Sequence, residues 1–373
     1  MRLRLPLLIF IVVYTYVVVN PNYFFLVPNF IYGETTTKLI SVNKLFKIKP
    51  TEVRLLSAEI EPDSLVFVGD VMLARNVEYL SDKKGCDYPY SNFNLGFNNI
   101  NPVVVGNFEG AIPELHQSTP DLGLKFSVKV DCVPFLKEAG FSHMSLANNH
   151  SYDFGKTGFD NSKKVLFENN INPFGSGNFD KESVTFIQFQ DTKVAIIAVQ
   201  LLSDIPSSDD IKEVFDYANS NSQKQIIYVH WGDEYKEIHN TNQRKWAEEF
   251  IEMGADLIVG HHPHVVQDID IIDNVPVFYS LGNYIFDQYF SAQVKQGLVL
   301  RVDFDNDKTI NLLPVSSENS LSSPSLMGES AHQKFLSNLS QVSHPDLKDQ
   351  IISGTILWYS EVATSPKVAM MTK

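Results

Sequence analysis

The sequence predicts an α/β domain whose short buried strands feed loops that carry polar and titratable side chains. Three observations lead there. Short apolar runs recur through about residues 64–305, and five of them stop at an acidic, amide or imidazole side chain. Amphipathic helical stretches lie between several of these runs, the alternation expected of layered α/β architecture. The composition, 44% hydrophobic and 20% charged, suits a chain that buries a sizeable core and excludes disorder, collagen and coiled coil as its main state.

The elements follow in chain order. Arg2 and Arg4 precede an uncharged stretch from Leu5 to Gly33, continuously apolar from Leu5 to Val19 apart from Thr15. A bilayer core takes about 20 mostly apolar residues, so residues 1–33 read as an uncleaved single-pass membrane anchor. A cleaved signal peptide and a buried core helix are the competing readings. With Arg2 and Arg4 held inside, the rest of the chain is expected outside the cytoplasm, or secreted if the segment is cleaved. Residues 34–62 have no sustained period and read as a linker, residues 63–315 as the domain, and residues 316–373 as a Ser- and Pro-rich extension with a helix near Ala331–Leu339.

Within the domain, Leu65–Gly69 runs into Asp70 and Val103–Gly106 into Asn107-Phe108-Glu109. Phe141–Leu146 is followed by Ala147-Asn148-Asn149-His150, Gln225–Val229 by His230, and Asp256–Gly260 by His261-His262-Pro263-His264. In 242–253 the apolar Trp246, Ala247, Phe250 and Ile251 share a face opposite Arg244, Lys245, Glu248, Glu249 and Glu252, and Gly254 stands where a left-handed helix end belongs. Runs at about 183–189, 193–199, 266–272, 275–280 and 297–304 look like hairpins and predict a second or mixed sheet.

Charge and cysteines narrow the function classes. Lys and Arg number 30 against 44 Asp and Glu, a net charge of −14, which argues against a nucleic-acid partner. Cys86 and Cys132 are too few for a disulfide-dense scaffold or a four-cysteine zinc module, and one bridge or two thiols both remain open.

Taken singly, the strand-end residues have ordinary structural roles. Asp70 suits a helix cap, Glu109 a surface, the Asn-Asn-His run a turn, and His230 a core histidine. Five such groups at five strand ends are not expected from capping or packing, and ligands of open α/β sheets sit beyond strand carboxyl ends. A mixed oxygen and imidazole set suits Zn, Mn or Fe better than Ca. It also exceeds what one tetrahedral ion needs, so two divalent ions are expected.

The segments FVGDVMLAR (67–75), VGNFEG (105–110), SLANNHSYDFGKTGF (145–159), VHWGDEY (229–235), GADLIVGHHPHVVQ (254–267) and PVFYSLGNYIFD (276–287) resemble the capsule synthesis protein CapA family. That family includes poly-γ-glutamate biosynthesis proteins and belongs to the calcineurin-like metallophosphoesterase superfamily. The resemblance spans roughly residues 64–305. It implies a four-layer αββα sandwich, a dinuclear metal centre and an extracytoplasmic protein near the membrane. Matched residue by residue, it implies metal ligands at Asp70, Glu109 (Asn107 being the other candidate), Asn149, His230, His262 and His264, with His261 an alternative in the last motif. Met72 stands where the superfamily's first motif has histidine, and Ser151 replaces the acid that usually follows the histidine of its third.

The expected chemistry is metal-assisted hydrolysis of a phosphoester or related linkage. His150 would protonate the leaving oxygen, Asp153 would orient it, Arg75 would pair with an anionic substrate group, and Asn283 and Tyr284 would line the pocket. The partners to expect are an anionic polymer or phosphoester and a membrane synthase complex. A domain of another class, a tethered scaffold that binds the polymer without cutting it, is the alternative.

Overall fold

The computed structural model describes residues 62–92, 101–120, 122–175, 177–203, 205–304 and 308–358, together with the backbone of two short strands nearer the N-terminus. Met1–Glu61 and Pro62–Lys373 form separate units. In the first, β1 (Leu26–Pro28) pairs antiparallel with β2 (Thr37–Leu39), Val27 opposite Lys38. Apart from the backbone of β1, the expected anchor at residues 1–33 lies outside the described residues. No helix among the described residues is long and apolar enough to cross a membrane.

In the second unit the chain builds half of one sheet, then a whole second sheet, and returns to complete the first. β3 (Ser64–Val71) leads through α1 (Arg75–Lys84) to β4 (Pro102–Phe108), then α2 (Pro134–Glu138), β5 (Phe141–Ser145), α3 (Gly155–Glu168) and β6 (Asn172–Phe174). These four strands are parallel neighbours in that order. The second sheet opens with the hairpin of β7 (Val184–Phe189) and β8 (Thr192–Gln200), the expected pairing. It continues through α4 (Ser208–Asn221), β9 (Lys224–His230), α5 (Thr241–Glu252), β10 (Leu257–His261), β11 (Ile269–Ile272) and β12 (Val275–Phe278), in the spatial order β11-β12-β10-β9-β8-β7. α5 starts on an Asn240–Gln243 capping box, and Gly254, with φ 108°, turns the chain out of it.

The return begins with β13 (Asn283–Ile285), which lies parallel to β3 and which no apolar run foretold. β14 (Gln296–Asp303) extends the first sheet antiparallel to β3, and β15 (Thr309–Ser316) pairs antiparallel with β14. The expected domain edge at 315 falls inside this unit. β16 (Ser325–Leu326) and β17 (Thr355–Leu357) both pair with β15, and α6 (Glu329–Val342) and α7 (Lys348–Ser353) lie between them. Strands of two or three residues are too short to show a period, which is why the sequence reads this stretch as an extension.

Side-chain alternation makes four layers. Phe67, Val105 and Leu300 of the first sheet meet Ile196, Ile226, Tyr228 and Val259 of the second in a central core. Val66, Val68 and Val104 point the other way, against Val77 of α1 and Phe159, Val165 and Leu166 of α3. On the far side Ala195, Ile197, Ile227 and Ile258 pack against Ile211 and Phe215 of α4 and Ala247 and Phe250 of α5. Both sheets are covered on both faces, so their strands read as unbroken apolar runs. This is the αββα sandwich that the family resemblance implied.

Candidate metal centre

Strand pairing brings the site together. β3 sets Asp70 opposite Asn107 of β4, β9 sets His230 opposite His261 of β10, and β13 sets Asn283 opposite Asp70. The carboxyl ends of both sheets therefore converge.

Asp70 is fully buried at the centre. Its Oδ1 accepts from Asn107 Nδ2 at 2.8 Å and faces His261 Nδ1 at 3.3 Å. Its Oδ2 lies 3.3 Å from His264 Nδ1 and accepts from the His262 backbone N–H at 3.4 Å. Burial alone would lift this carboxyl, but the His261 and His264 imidazoles beside it hold it well below the usual carboxylate range. At Glu109 desolvation wins and the carboxyl is pushed well up. His264 Nε2 is 3.6 Å from Glu109 Oε1. Burial pulls the His264 imidazolium down, yet the Glu109 and Asp70 charges together raise it to about 9. The pocket thus stabilises positive charge between two carboxyl groups. Burial keeps His230 neutral, and burial with the His264 charge beside it takes His262 down to about 4.

A chain of amides sets these groups. Ser151 Oγ donates to Asn148 Oδ1, and Asn148 Nδ2 donates to Asn107 Oδ1 and to the Phe108 carbonyl. Asn107 therefore turns its amide nitrogen inward, to Asp70, to Glu109 Oε2 at 3.4 Å and to His230 Nδ1 at 3.2 Å. In that orientation Asn107 is a donor to the anionic ligands, and Glu109 is the residue that offers an oxygen. Asn149 is exposed, and its Oδ1 lies 2.8 Å from His230 Nε2.

The remaining predicted residues take several positions. His150 Nδ1 faces Asp153 Oδ2 at 3.0 Å, and the same oxygen accepts from the Phe126 backbone N–H at 2.7 Å. The Phe126 ring stacks on His150 with centroids 3.8 Å apart. Arg75 is paired with Asp287 and lies 4.5 Å from the Phe126 centroid, so a carboxylate already faces its guanidinium. Asn283 stands behind His264: its Oδ1 accepts from Nδ1 at 3.0 Å, and its Nδ2 donates to Gln288 Oε1 and the Val294 carbonyl. It holds the His264 ring from behind. Tyr284 is buried in the outer core near Phe141 and does not line the pocket. Met72 is buried, and its sulfur accepts from the Ala74 N–H at 3.0 Å.

These residues fit a divalent cation. Glu109 Oε1, both ring nitrogens of His261 and Nδ1 of His262 are buried and outside hydrogen-bond geometry with any partner. Such atoms each cost about 1–3 kcal/mol if nothing satisfies them, and all four belong to one cluster. Donor atoms of Asp70, Glu109 and His264 lie within 4.8 Å of one another, and so do those of Glu234, His262 and His264. Asn283 fixes the His264 proton on Nδ1 and turns Nε2 toward Glu109, the way an outer partner sets a ligating imidazole. Glu234 was not singled out from the sequence, because an exposed Glu in a chain with 44 acids carries no signal of its own.

Residues 64–288 match the family model described as bacterial capsule synthesis protein PGA_cap. The capsule biosynthesis protein CapA of Bacillus anthracis is 29% identical over 289 residues, 71% of this chain and 70% of that protein. The PGA biosynthesis protein CapA of Bacillus subtilis (strain 168) is 29% identical over 253 residues, 63% of this chain and 66% of that protein. Among solved structures, a novel phosphatase of Mycoplasma pneumoniae aligns at 16% identity and a TM-score of 0.45, over 69% of this chain and 94% of that one.

Proposed function

The chain belongs to the bacterial capsule synthesis protein PGA_cap family, and on that premise we propose that it serves the synthesis or export of a capsule polymer, poly-γ-glutamate being the first candidate. In this reading residues 1–33 tether it to the membrane, the domain stands outside the cytoplasm, and its centre holds two divalent cations (Mn, Fe or Zn) that hydrolyse a phosphoester or related linkage. The observation that carries it is the cluster of buried donor atoms left without hydrogen-bond partners at Glu109, His261 and His262. Two further features support it. Cys86 and Cys132 are joined in a disulfide, a bond that persists in oxidising compartments outside the cytoplasm. A net charge of −14 would repel a polyanionic chain everywhere except where cations are held.

The geometry supports a division of labour. Asp70, Glu109, Asn149, His230, His262 and His264 hold the cations, with His261 beside Asp70 as a further donor. Bound cations supply Lewis acidity toward phosphoryl oxygens and ease the deprotonation of water. Asp153 keeps the His150 proton on Nδ1 and sets the ring, so Nε2 is the nitrogen that exchanges a proton with the leaving oxygen. Phe126 covers one face of that ring and limits its tilt. Asn107 and Asn148 hold the carboxylates in place. Met72 favours the second reading, a scaffold that binds the polymer without cutting it, because its sulfur is engaged by backbone and gives the centre no imidazole.

Metal content and hydrolysis of generic aryl phosphates by the full-length protein test the proposal. Stoichiometric divalent metal is expected, with turnover falling at least about 100-fold in His150→Ala while metal content holds. Turnover that survives loss of both His230 and His264 would sink it. Stoichiometric metal with no turnover on any phosphoester would favour the scaffold.

A further inference from the structure

We propose that Glu234 is the carboxylate ligand of an outer, exchangeable divalent cation, held with His262 beside His264 and separate from an inner cation held by Asp70, Glu109 and His264. The inference deepens the hydrolase reading and rests on it. His264 belongs to both groups of converging donors, so it stands at the boundary of two sites. The two groups differ in surroundings. Asp70, Glu109 and His264 are all buried, whereas Glu234, beside the buried His262, is exposed.

An exposed glutamate is ordinarily a solvated surface residue, and two observations set this one apart. The first is its loop. β9 ends at His230, and Gly232 (φ 88°) and Tyr235 (φ 61°) bend the chain back over the histidine segment. A Cβ at Gly232 would come within 2.7 Å of the Gln243 amide, so only glycine lets the loop lie this close to α5. The Tyr235 backbone N–H then donates to the Pro263 carbonyl at 2.8 Å, clamping the loop onto the residue between His262 and His264. Gln288 Nε2 donates to Tyr235 Oη and fastens its far side. Glu234 is thereby carried to the histidines by backbone, not by a wandering side chain.

The second observation is His262. It is 7% exposed and held at φ 100°, in the left-handed region that a bulky residue adopts only when its surroundings impose it. Its Nδ1 is buried with no hydrogen-bond partner. A strained backbone and an unsatisfied donor on one residue, beside a carboxylate fixed by a clamp, describe a ligand position. Mixed carboxylate and imidazole donors suit Mn, Fe or Zn. With its one carboxylate facing solvent, the outer site is the weaker of the two and the one a substrate oxygen meets first.

Mn(II) titration of the metal-stripped full-length protein, with bound metal counted after equilibrium dialysis, tests this independently of turnover. Wild type is expected to take up about two equivalents with unequal affinity, the number a two-metal centre requires. Glu234→Gln should keep the tight equivalent and weaken the other by ten- to a hundredfold, roughly the loss seen when support of a metal site is removed. Asp70→Asn should lose the tight one, and circular dichroism should show both variants folded. Two equivalents in Glu234→Gln with both affinities unchanged would overturn the inference and leave the hydrolase reading standing. A single equivalent in wild type, indifferent to Glu234, would overturn the inference too and cut the hydrolase reading back to a one-cation centre. No uptake by wild type would bring down both.

Discussion

At the scale of single residues, the centre depends on groups that never touch a ligand. Asn283 is the clearest. It accepts the His264 Nδ1 hydrogen bond and is itself held by Gln288 and the Val294 carbonyl, so three hydrogen bonds behind the ring decide the orientation of His264 Nε2 toward Glu109. Replacing Asn283 by Ala frees the ring to turn and its proton to move. Divalent metal affinity, measured by titration, should fall about 10–100-fold while the far-ultraviolet spectrum is unchanged. Unchanged affinity would mean that packing alone holds the ring. The sequence disclosed the candidate ligands and hid the residues that position them. Asp70, Glu109, His230, His262 and His264 stand at strand ends, where chemistry is looked for. Asp287, which pairs with Arg75, is 212 positions away from it, and no local pattern joins such residues. Asn107 was legible as a polar residue at a strand end, but its inward-facing nitrogen is set by Asn148, whose role appears only in three dimensions.

At the scale of elements, legibility followed burial. β3, β4, β9 and β10 are apolar on both faces because helices cover both sheets, and their runs stood out against polar loops. β13, β16 and β17, of two or three residues each, left no such trace. The sequence also left the two cysteines undecided, since Cys86 follows α1 and Cys132 precedes α2 and only folding brings their Cα atoms to 5.0 Å. The bridge closes a loop of 46 residues in sequence, which contains β4 and the Glu109 turn. By chain entropy, opening such a loop costs about 4 kcal/mol, and measured losses run about 2–5 kcal/mol. Urea denaturation of the Cys86→Ser/Cys132→Ser variant should show a loss in that range. A midpoint equal to wild type would mean that the bridge adds no constraint the core does not already impose. Reduced thiols at Cys86 and Cys132 in protein taken directly from cells would count against a domain outside the cytoplasm.

At the scale of the whole molecule, the question is what closes the sandwich on the side of its C-terminal segment. The chain after Ser316 does so by joining the sheets. β17 pairs with β15 of the first sheet, and the Trp358 indole N–H donates to the Asp256 carbonyl beside β10 of the second. Upstream, the His344 N–H donates to the Ile269 carbonyl and the Ile269 N–H to Ser343 Oγ, tying the end of α6 to the edge strand β11. Leu336, Leu339, Leu347, Ile351, Ile356 and Trp358 lie in the same central core as Phe67 and Tyr228. Burying side chains of this size contributes about 1.5–3 kcal/mol each, so six are worth on the order of 10 kcal/mol before the entropy of ordering the segment is subtracted. That is comparable to the whole stability of a domain, about 5–15 kcal/mol. A chain ending at Ser316 is therefore expected to expose Ile310 and Leu312 of β15 and to aggregate, although it keeps every residue of the metal centre and all of the span that matches the family model. Expression of that truncation beside the full-length chain, followed by thermal unfolding of whatever is soluble, decides the matter. A soluble fragment with a cooperative transition near that of the full chain would show that the segment merely decorates the sandwich. Aggregation with an intact set of ligands would show that the centre needs the two sheets pressed together, since Asp70 and Glu109 come from one sheet and His230 and the later histidines from the other.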